Sequence, residues 1–173
     1  DHFAARRYFI NANSAVRENV FRTGSDQVIV GEDGFLFYNE TTADYCGESL
    51  LTREEIDAIA DSLKEMADKA SSYGAKLVVA VAPNKNTVYG DYMPAAYRAV
   101  RDNAPDVSNM DLLYAALAQR GVLYADLRAP LVDAENLTYH KRDTHWNGEG
   151  ARIAYNAILD ALEFSRDDFS AYP

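Results

Sequence analysis

Reactive side chains are concentrated in the nine residues from Tyr139 to Asn147. This segment holds two of the three histidines of the chain, its only tryptophan, two cationic side chains and a carboxylate. Within it, Asp143 and His145 form an Asp-x-His pair. At this spacing a carboxylate can bond one ring nitrogen and fix the tautomer of the imidazole. The other ring nitrogen is then available to take a proton from a hydroxyl nucleophile, so the pair indicates general-base chemistry.

Two other interpretations of this segment are open. In the first, Asp143 caps a turn, and His145 and Trp146 are packing residues with satisfied polar tips. In the second, His140, Asp143 and His145 bind a metal ion, although no fourth ligand has a convincing spacing. Asn147 directly precedes a predicted helix, where it can act as the N-cap. The spacing alone leaves these interpretations open.

Further candidates follow the predicted strands, where open α/β sheets place their ligands. Lys85 comes after a buried strand and can meet an anionic group, and Tyr89 and Tyr92 can stack on a sugar ring. Asp126 ends the second strand, where it can orient a partner or cap the next turn. Each has an ordinary structural interpretation too: a solvated lysine, packing tyrosines or a cap.

The elements that must position these residues follow an α/β pattern. Amphipathic periodicity predicts helices at 2–21, 53–72, 109–120 and 148–163, and apolar runs predict buried strands at 76–82 and 122–126. Two glycines between β-rich runs, Gly31 and Gly34, predict a hairpin. Alternating helices and buried strands are typical of an α/β sandwich with a parallel sheet. Because only two buried strands are visible, either the hairpin joins the sheet or further strands lie beyond Pro173.

Composition narrows the classes of function. The 173 residues carry 17 Lys and Arg against 27 Asp and Glu, a net charge of -10. A nucleic-acid binder needs a basic face to displace phosphate counterions, so no nucleic-acid partner is expected. Cys46 is the single cysteine, which excludes an internal disulfide and a four-cysteine zinc site. No secretion leader is visible, and the abrupt start at Asp1 suggests part of a longer protein.

Five motifs in register resemble a known family. They are a β-rich opening, a proline-lysine-tyrosine segment, a strand end, the Asp-x-His segment and the start of an N-terminal helix. In this sequence they are Val28–Tyr38, similar to V-x-G-x-D-G-[WF]-L-F; Ala82–Tyr89, similar to P-x-K-x-x-x-Y, followed by Tyr92-Met93-Pro94; Tyr124–Leu127; Asp143–Asn147 with Gly150-Ala151; and Asp1–Arg6, similar to D-x-F-x-x-R. Over essentially its whole length, the chain resembles the SGNH-hydrolase-like domain of the alginate O-acetyltransferases, the AlgX/AlgJ and DHHW group.

The resemblance implies the fold class. The expected architecture is α/β: a three-layer α/β/α sandwich, SGNH-hydrolase-like and flavodoxin-like, with a mainly parallel sheet that is incomplete in this chain. A single domain is expected over 1–173, with an N-terminal helix and hairpin at 1–40 and an α/β core at 50–173. The part that carries the nucleophile is expected to be missing from this domain.

The resemblance also implies a function. It implies an extracytoplasmic O-acetyltransferase or acetylesterase that acts on a cell-surface or exported polysaccharide, without cofactor or metal. Asp143 and His145 match the catalytic pair of the family. Substrate-binding residues are expected at Lys85, Tyr89, Trp146 and Asn147. A membrane-bound O-acyltransferase partner is expected to supply the acetyl donor.

One departure from the family concerns the nucleophile. The family's serine lies in a Gly-Asp-Ser segment downstream of the Asp-His pair, and this sequence contains no such string. The nearest is Gly47-Glu48-Ser49, which precedes the pair. The nucleophile of a Ser-His-Asp mechanism is therefore expected outside this chain. The alternative is a non-catalytic glycan-binding or scaffolding module that uses the tyrosines, Trp146 and Lys85.

Overall fold

The structure, a computed structural model, describes residues 23–25 and 27–166. The predicted helix at 2–21 lies outside these described residues. The described strands and α-helices, in chain order, are β1 (Thr23–Ser25), β2 (Val28–Val30), β3 (Leu36–Tyr38), α1 (Thr42–Tyr45), α2 (Arg53–Ser72), β4 (Val78–Val81), α3 (Lys85–Val88), α4 (Ala95–Asp102), α5 (Asn109–Gln119), β5 (Leu123–Asp126), α6 (Arg128–Val132) and α7 (Gly148–Ala161). No helix in this described part has the length and apolar character needed to cross a bilayer.

Strands β4 and β5 form a parallel sheet with helices on both faces. They pair in register over their whole length. Val79 and Val81 pack on one face with α2 and α5, whereas Val78 and Ala125 pack on the other with α6 and α7. Successive side chains of a strand point to opposite faces, so this alternation places the sheet between two helical layers. The predicted three-layer α/β architecture with a parallel sheet is confirmed.

The two strands are less buried than their apolar sequences indicated. Leu123 and Tyr124 keep 43% and 36% of their surface exposed, and Ala80 is exposed as well. The reason is that each strand has one neighbour within the described ranges, so each keeps an open edge. The hairpin does not supply a further neighbour, because β1, β2 and β3 form a separate antiparallel sheet.

The predicted hairpin is confirmed, and it carries a small core of its own. Strands β2 and β3 pair around Ile29 opposite Phe37. The turn between them needs a left-handed backbone at Gly34, where φ is +77°, a conformation that glycine adopts without steric cost. Ile29, Phe35 and Phe37 are fully buried together with Met93, from the segment that follows α3. The hairpin therefore packs against the chain that leaves β4.

Local signals at the helix ends are confirmed. At the start of α2, the hydroxyl of Thr52 accepts a bond from the Glu55 N–H at 3.2 Å, and the Glu55 carboxylate accepts one from the Thr52 N–H at 2.8 Å. This is the predicted capping box, which fixes the first turn of the helix. Helix α2 ends at Ser72 as predicted. Helices α5 and α7 lie within two residues of their predicted bounds.

Gly150, in the first turn of α7, lies against the backbone of Thr138. A Cβ added at Gly150 would stand 2.1 Å from the Thr138 carbonyl oxygen, so the helix or the neighbouring loop would have to move. Because overpacking of this kind costs about 1–3 kcal/mol, we expect Gly150→Ala to lower the free energy of unfolding by that amount. Denaturant unfolding measures this change.

Gly148→Ala in the same helix turn is the matched control. An added Cβ at Gly148 meets nothing within 4 Å. Alanine is the better helix former, so this variant should be neutral or slightly stabilised. Equal unfolding free energies for Gly148→Ala and Gly150→Ala would contradict the close approach of α7 to Thr138.

Candidate active site

The segment 138–147 forms a narrow loop before α7. Tyr139 and Trp146 make an isolated antiparallel bridge, and their rings meet edge to face at 6.3 Å. Closer to the tip, the N–H of His140 donates to the carbonyl oxygen of His145 at 3.2 Å. These contacts draw the two sides of the loop together and present its tip, residues 141–145, to solvent.

Asp143 and His145 are brought together at this tip. The Oδ1 atom of Asp143 accepts a bond from the His145 backbone N–H at 2.8 Å and lies 2.6 Å from Nδ1 of the ring. The backbone bond, followed by the ring bond, holds the pKa of the Asp143 carboxyl below its usual value. With Nδ1 bonded to a carboxylate, Nε2 is the nitrogen that can take a proton. The His145 side chain is 84% exposed, so a hydroxyl group can approach it.

Two neighbours of His145 have structural partners. The Oδ1 atom of Asn147 accepts a bond from the Gly150 N–H at 2.9 Å, which makes Asn147 the N-cap of α7 as predicted. Trp146 is half-buried against Tyr139. Their adjacency to His145 is compatible with substrate contact, which stays a prediction for both.

Lys85 lies beneath the loop, inside the protein. Its surface is 5% exposed. Its ammonium group donates to the carbonyl oxygens of Leu36 at 2.9 Å, Lys141 at 2.7 Å and Asp143 at 3.1 Å. An ammonium group has three N–H donors, and three carbonyls face it here. The interpretation of Lys85 as a solvated lysine is therefore wrong, because its side chain is buried.

Tyr89 also faces the loop from within. Its hydroxyl accepts a bond from the Thr138 N–H at 2.7 Å and lies 3.0 Å from Oγ1 of Thr138. Since the Thr138 hydroxyl donates to the carbonyl of Leu131 at 3.2 Å, the proton of Tyr89 points to Thr138 Oγ1. Tyr89 therefore anchors the base of the loop. Substrate contact by Lys85 and Tyr89 stays a prediction.

The remaining candidates have ordinary roles. The carboxylate of Asp126 accepts bonds from the Arg128 N–H at 3.0 Å and from its guanidinium at 2.6 Å, so it caps the turn into α6. Tyr92 stacks on Phe35 at 4.2 Å, as a packing residue does. Within 23–25 and 27–166, no group of three or more His, Cys, Asp or Glu could hold a metal ion, so His140 does not join Asp143 and His145 in a metal site.

A cavity of about 290 Å³ opens near the carboxyl end of β4. Its lining comes from the segment before α2, from the first turns of α2 and α5, and from the chain that leaves β4, with Arg128 at its wall. The residues that line it do not include the Asp143–His145 pair. The loop and this cavity are therefore separate features.

Sequence reasoning missed the supporting residues of the loop. Leu36 and Lys141 lie in segments that the sequence analysis singled out, but their contribution comes from backbone carbonyls, which no residue type marks, and Thr138 was not singled out. The spacing of Lys85 and Tyr89 was the available signal, because residues four apart lie on one face of a helical turn. Both side chains do point to the same loop from α3 and the residue that follows it.

Comparison with known proteins finds curated relatives of the chain. Two curated proteins named "Probable alginate O-acetylase AlgJ", from Pseudomonas putida and Pseudomonas syringae pv. tomato, are each 28% identical to the chain over 92% and 94% of its length. The chain spans 40% of the length of each of them.

Solved structures give the same relationship. The structure described as the O-acetyltransferase domain of Pseudomonas putida AlgJ superposes with a TM-score of 0.56 at 26% identity, covering 79% of this chain and 47% of that one. A structure of Pseudomonas aeruginosa AlgX shares the fold, with a TM-score of 0.59 at 22% identity, covering 79% of this chain and 31% of that one. The family described as "SGNH hydrolase-like domain, acetyltransferase AlgX" matches residues 28–171. The chain therefore belongs to the SGNH hydrolase-like domains of the AlgX acetyltransferase family, as its motifs indicated.

Proposed function

We propose that this chain is part of an O-acetyltransferase or acetylesterase that acts on a cell-surface or exported polysaccharide. The observation that carries the proposal is the 2.6 Å contact between Asp143 Oδ1 and Nδ1 of an exposed His145. A carboxylate in this position orients the imidazole and stabilises the imidazolium that forms during acyl transfer. The names of the relatives, alginate O-acetylases, support a polysaccharide as the acceptor.

The reaction that fits this pair has two halves. A serine outside this chain attacks the carbonyl carbon of an acetyl donor, and its hydroxyl proton passes to Nε2 of His145. His145 returns the proton to the leaving group of the donor, which leaves an acetyl-serine. A sugar hydroxyl, or water in an esterase, then attacks this ester while His145 takes its proton. The proton finally returns to the serine oxygen as the ester breaks.

The surroundings of the reaction are part of the same proposal. Backbone N–H groups would stabilise the oxyanion that forms in each half. The acetyl donor would reach the serine from a membrane-bound O-acyltransferase, and the protein would work outside the cytoplasm. A non-catalytic glycan-binding module is less well supported, because the amine of Lys85 and the hydroxyl of Tyr89 are bonded within the protein.

The test uses the full-length protein with a chromogenic acetyl ester and deacetylated alginate. We expect saturable release of the chromophore, and phenylmethylsulfonyl fluoride should stop it by labelling one serine that lies outside these 173 residues. Mass spectrometry locates the label. New acetyl esters on the alginate would identify a transferase, whereas acetate alone would identify an esterase. Turnover that is insensitive to this reagent, or absent turnover, would contradict the proposal.

A further inference from the structure

The ammonium group of Lys85 connects the Asp143–His145 loop to the hairpin sheet. It bonds the Leu36 carbonyl in β3 and two carbonyls of the loop, those of Lys141 and Asp143. We propose that Lys85 is a positioning residue, which holds the backbone of this loop so that the Asp143 carboxylate meets the His145 ring, and which does not touch the substrate. The proposal deepens the function proposed above and rests on it for its kinetic part.

The geometry explains why one lysine can have this effect. Asp143 is held twice: its carbonyl oxygen bonds the Lys85 ammonium at 3.1 Å, and its side chain bonds His145. The carbonyl of Lys141 also accepts a bond from the Leu36 N–H at 2.8 Å. The loop tip therefore rests on β3 through one direct backbone bond and through the ammonium group. Without that group, the direct bond alone would connect the tip to β3 in this network.

The surroundings of the amine suit a buried cation that stays protonated. Burial lowers its pKa to about 8, and the negative charge of Asp143 opposes this shift. The rings of Phe35 and Phe37 lie 5.3 Å and 5.4 Å from the nitrogen, a distance at which an aromatic face attracts a cation. At neutral pH the amine is mostly charged, so all three N–H donors are present. Loss of the amine would remove this donor from the carbonyls of Leu36 and Asp143, and would leave the Lys141 carbonyl with the Leu36 N–H alone.

Tyr89 completes the same support from the other end of the loop. It bonds Thr138 at the base, while Lys85 bonds the tip. Both residues come from one helical turn after β4, so the parallel sheet and the loop are joined through α3. The P-x-K-x-x-x-Y spacing thus supplies two anchors for one loop.

The kinetic test compares Lys85→Met with Lys69→Met in the full-length protein. Methionine keeps the unbranched shape but removes the charge and all three donors. We expect kcat to fall about 10²-fold with little change in KM, because a displacement of about 1 Å in the reacting groups has this effect. Lys69 is the control: it is an exposed lysine of α2 whose amine also lies over a ring, that of Tyr73 at 5.3 Å.

A conservative variant separates positioning from substrate binding. Lys85→Arg keeps the positive charge and N–H donors in a larger group. Its kcat should therefore lie between those of Lys85→Met and the wild type, and its KM should equal that of the wild type. This variant remains informative if Lys85→Met does not fold. A raised KM with normal kcat in either variant would mean that Lys85 binds substrate, and the proposal would be overturned.

Amide hydrogen exchange tests the same inference without any enzymatic activity. In the full-length protein, Lys85→Met should speed exchange in residues 138–147, while exchange in α2 stays as in the wild type. Unchanged exchange in the loop would overturn the positioning role even if turnover fell. Faster exchange in a protein whose wild type has no acetyl turnover would support the positioning role and reject the proposed function.

Discussion

Replacing His145 with alanine is expected to lower the turnover of an acetyl ester by the full-length protein at least about 10⁴-fold. The variant lacks the nitrogen that takes the proton of the serine hydroxyl, so the nucleophile stays protonated at neutral pH. Since the His145 side chain is 84% exposed, its removal leaves no cavity in a core, and the unfolding free energy should change little. Rates measured against the background hydrolysis of the ester, together with unfolding curves, check both statements.

His140→Ala is the matched control for this experiment. His140 lies in the same loop and is also exposed, but its backbone, rather than its ring, pairs with His145. Turnover of the His140→Ala variant should stay within about threefold of the wild type, as is usual for surface substitutions that leave the reacting groups in place. Normal turnover in His145→Ala, or equal losses in both variants, would remove His145 from the mechanism.

Asp143→Asn separates the charge of the pair from its geometry. Both bonds from His145 reach the same oxygen, Oδ1 of Asp143, so an asparagine can present an oxygen to the same two donors. The negative charge that stabilises the imidazolium is lost. We expect turnover to fall about 10³- to 10⁴-fold, as for the equivalent carboxylate of a catalytic triad.

Comparison with Asp143→Ala shows how much of this loss is electrostatic. Alanine removes the acceptor as well, so the His145 backbone N–H and the ring both lose their partner. If charge dominates, the two variants should lie within about tenfold of each other in kcat. Turnover of Asp143→Asn close to that of the wild type would show that the carboxylate acts only as an acceptor, contrary to the triad mechanism.

The strongest local signals in the sequence predicted the fold well. The Thr52–Glu55 capping box located the first turn of α2, and an apolar run located β4. Helix α4 was missed because its eight residues make little more than two turns, too few for the repeating apolar period by which the longer helices were predicted. Helix α6 was missed because it is only five residues long and contains Pro130 in its first turn, where proline is tolerated.

The site was predictable only in part. Asp143 and His145 interact across two residues, so their spacing predicted the contact between their side chains. The environment of Lys85 could not be predicted in this way. It depends on carbonyls of Leu36, 49 residues before it, and Lys141, 56 residues after it. A lysine in a four-residue helix is expected to be exposed to solvent, because charged side chains are rarely buried unless they have partners, and here the partners are distant in sequence.

The long reach of Lys85 has a consequence for how the protein folds. The loop cannot take its final shape until segments from both sides of the chain have met, and contacts between distant segments form slowly because chain closure costs entropy. We expect the loop at 138–147 to assemble late, after α2 and the other local elements. Trp146, the single tryptophan of this chain, lies in the loop itself, so the fluorescence of this chain during refolding would measure when the loop becomes ordered.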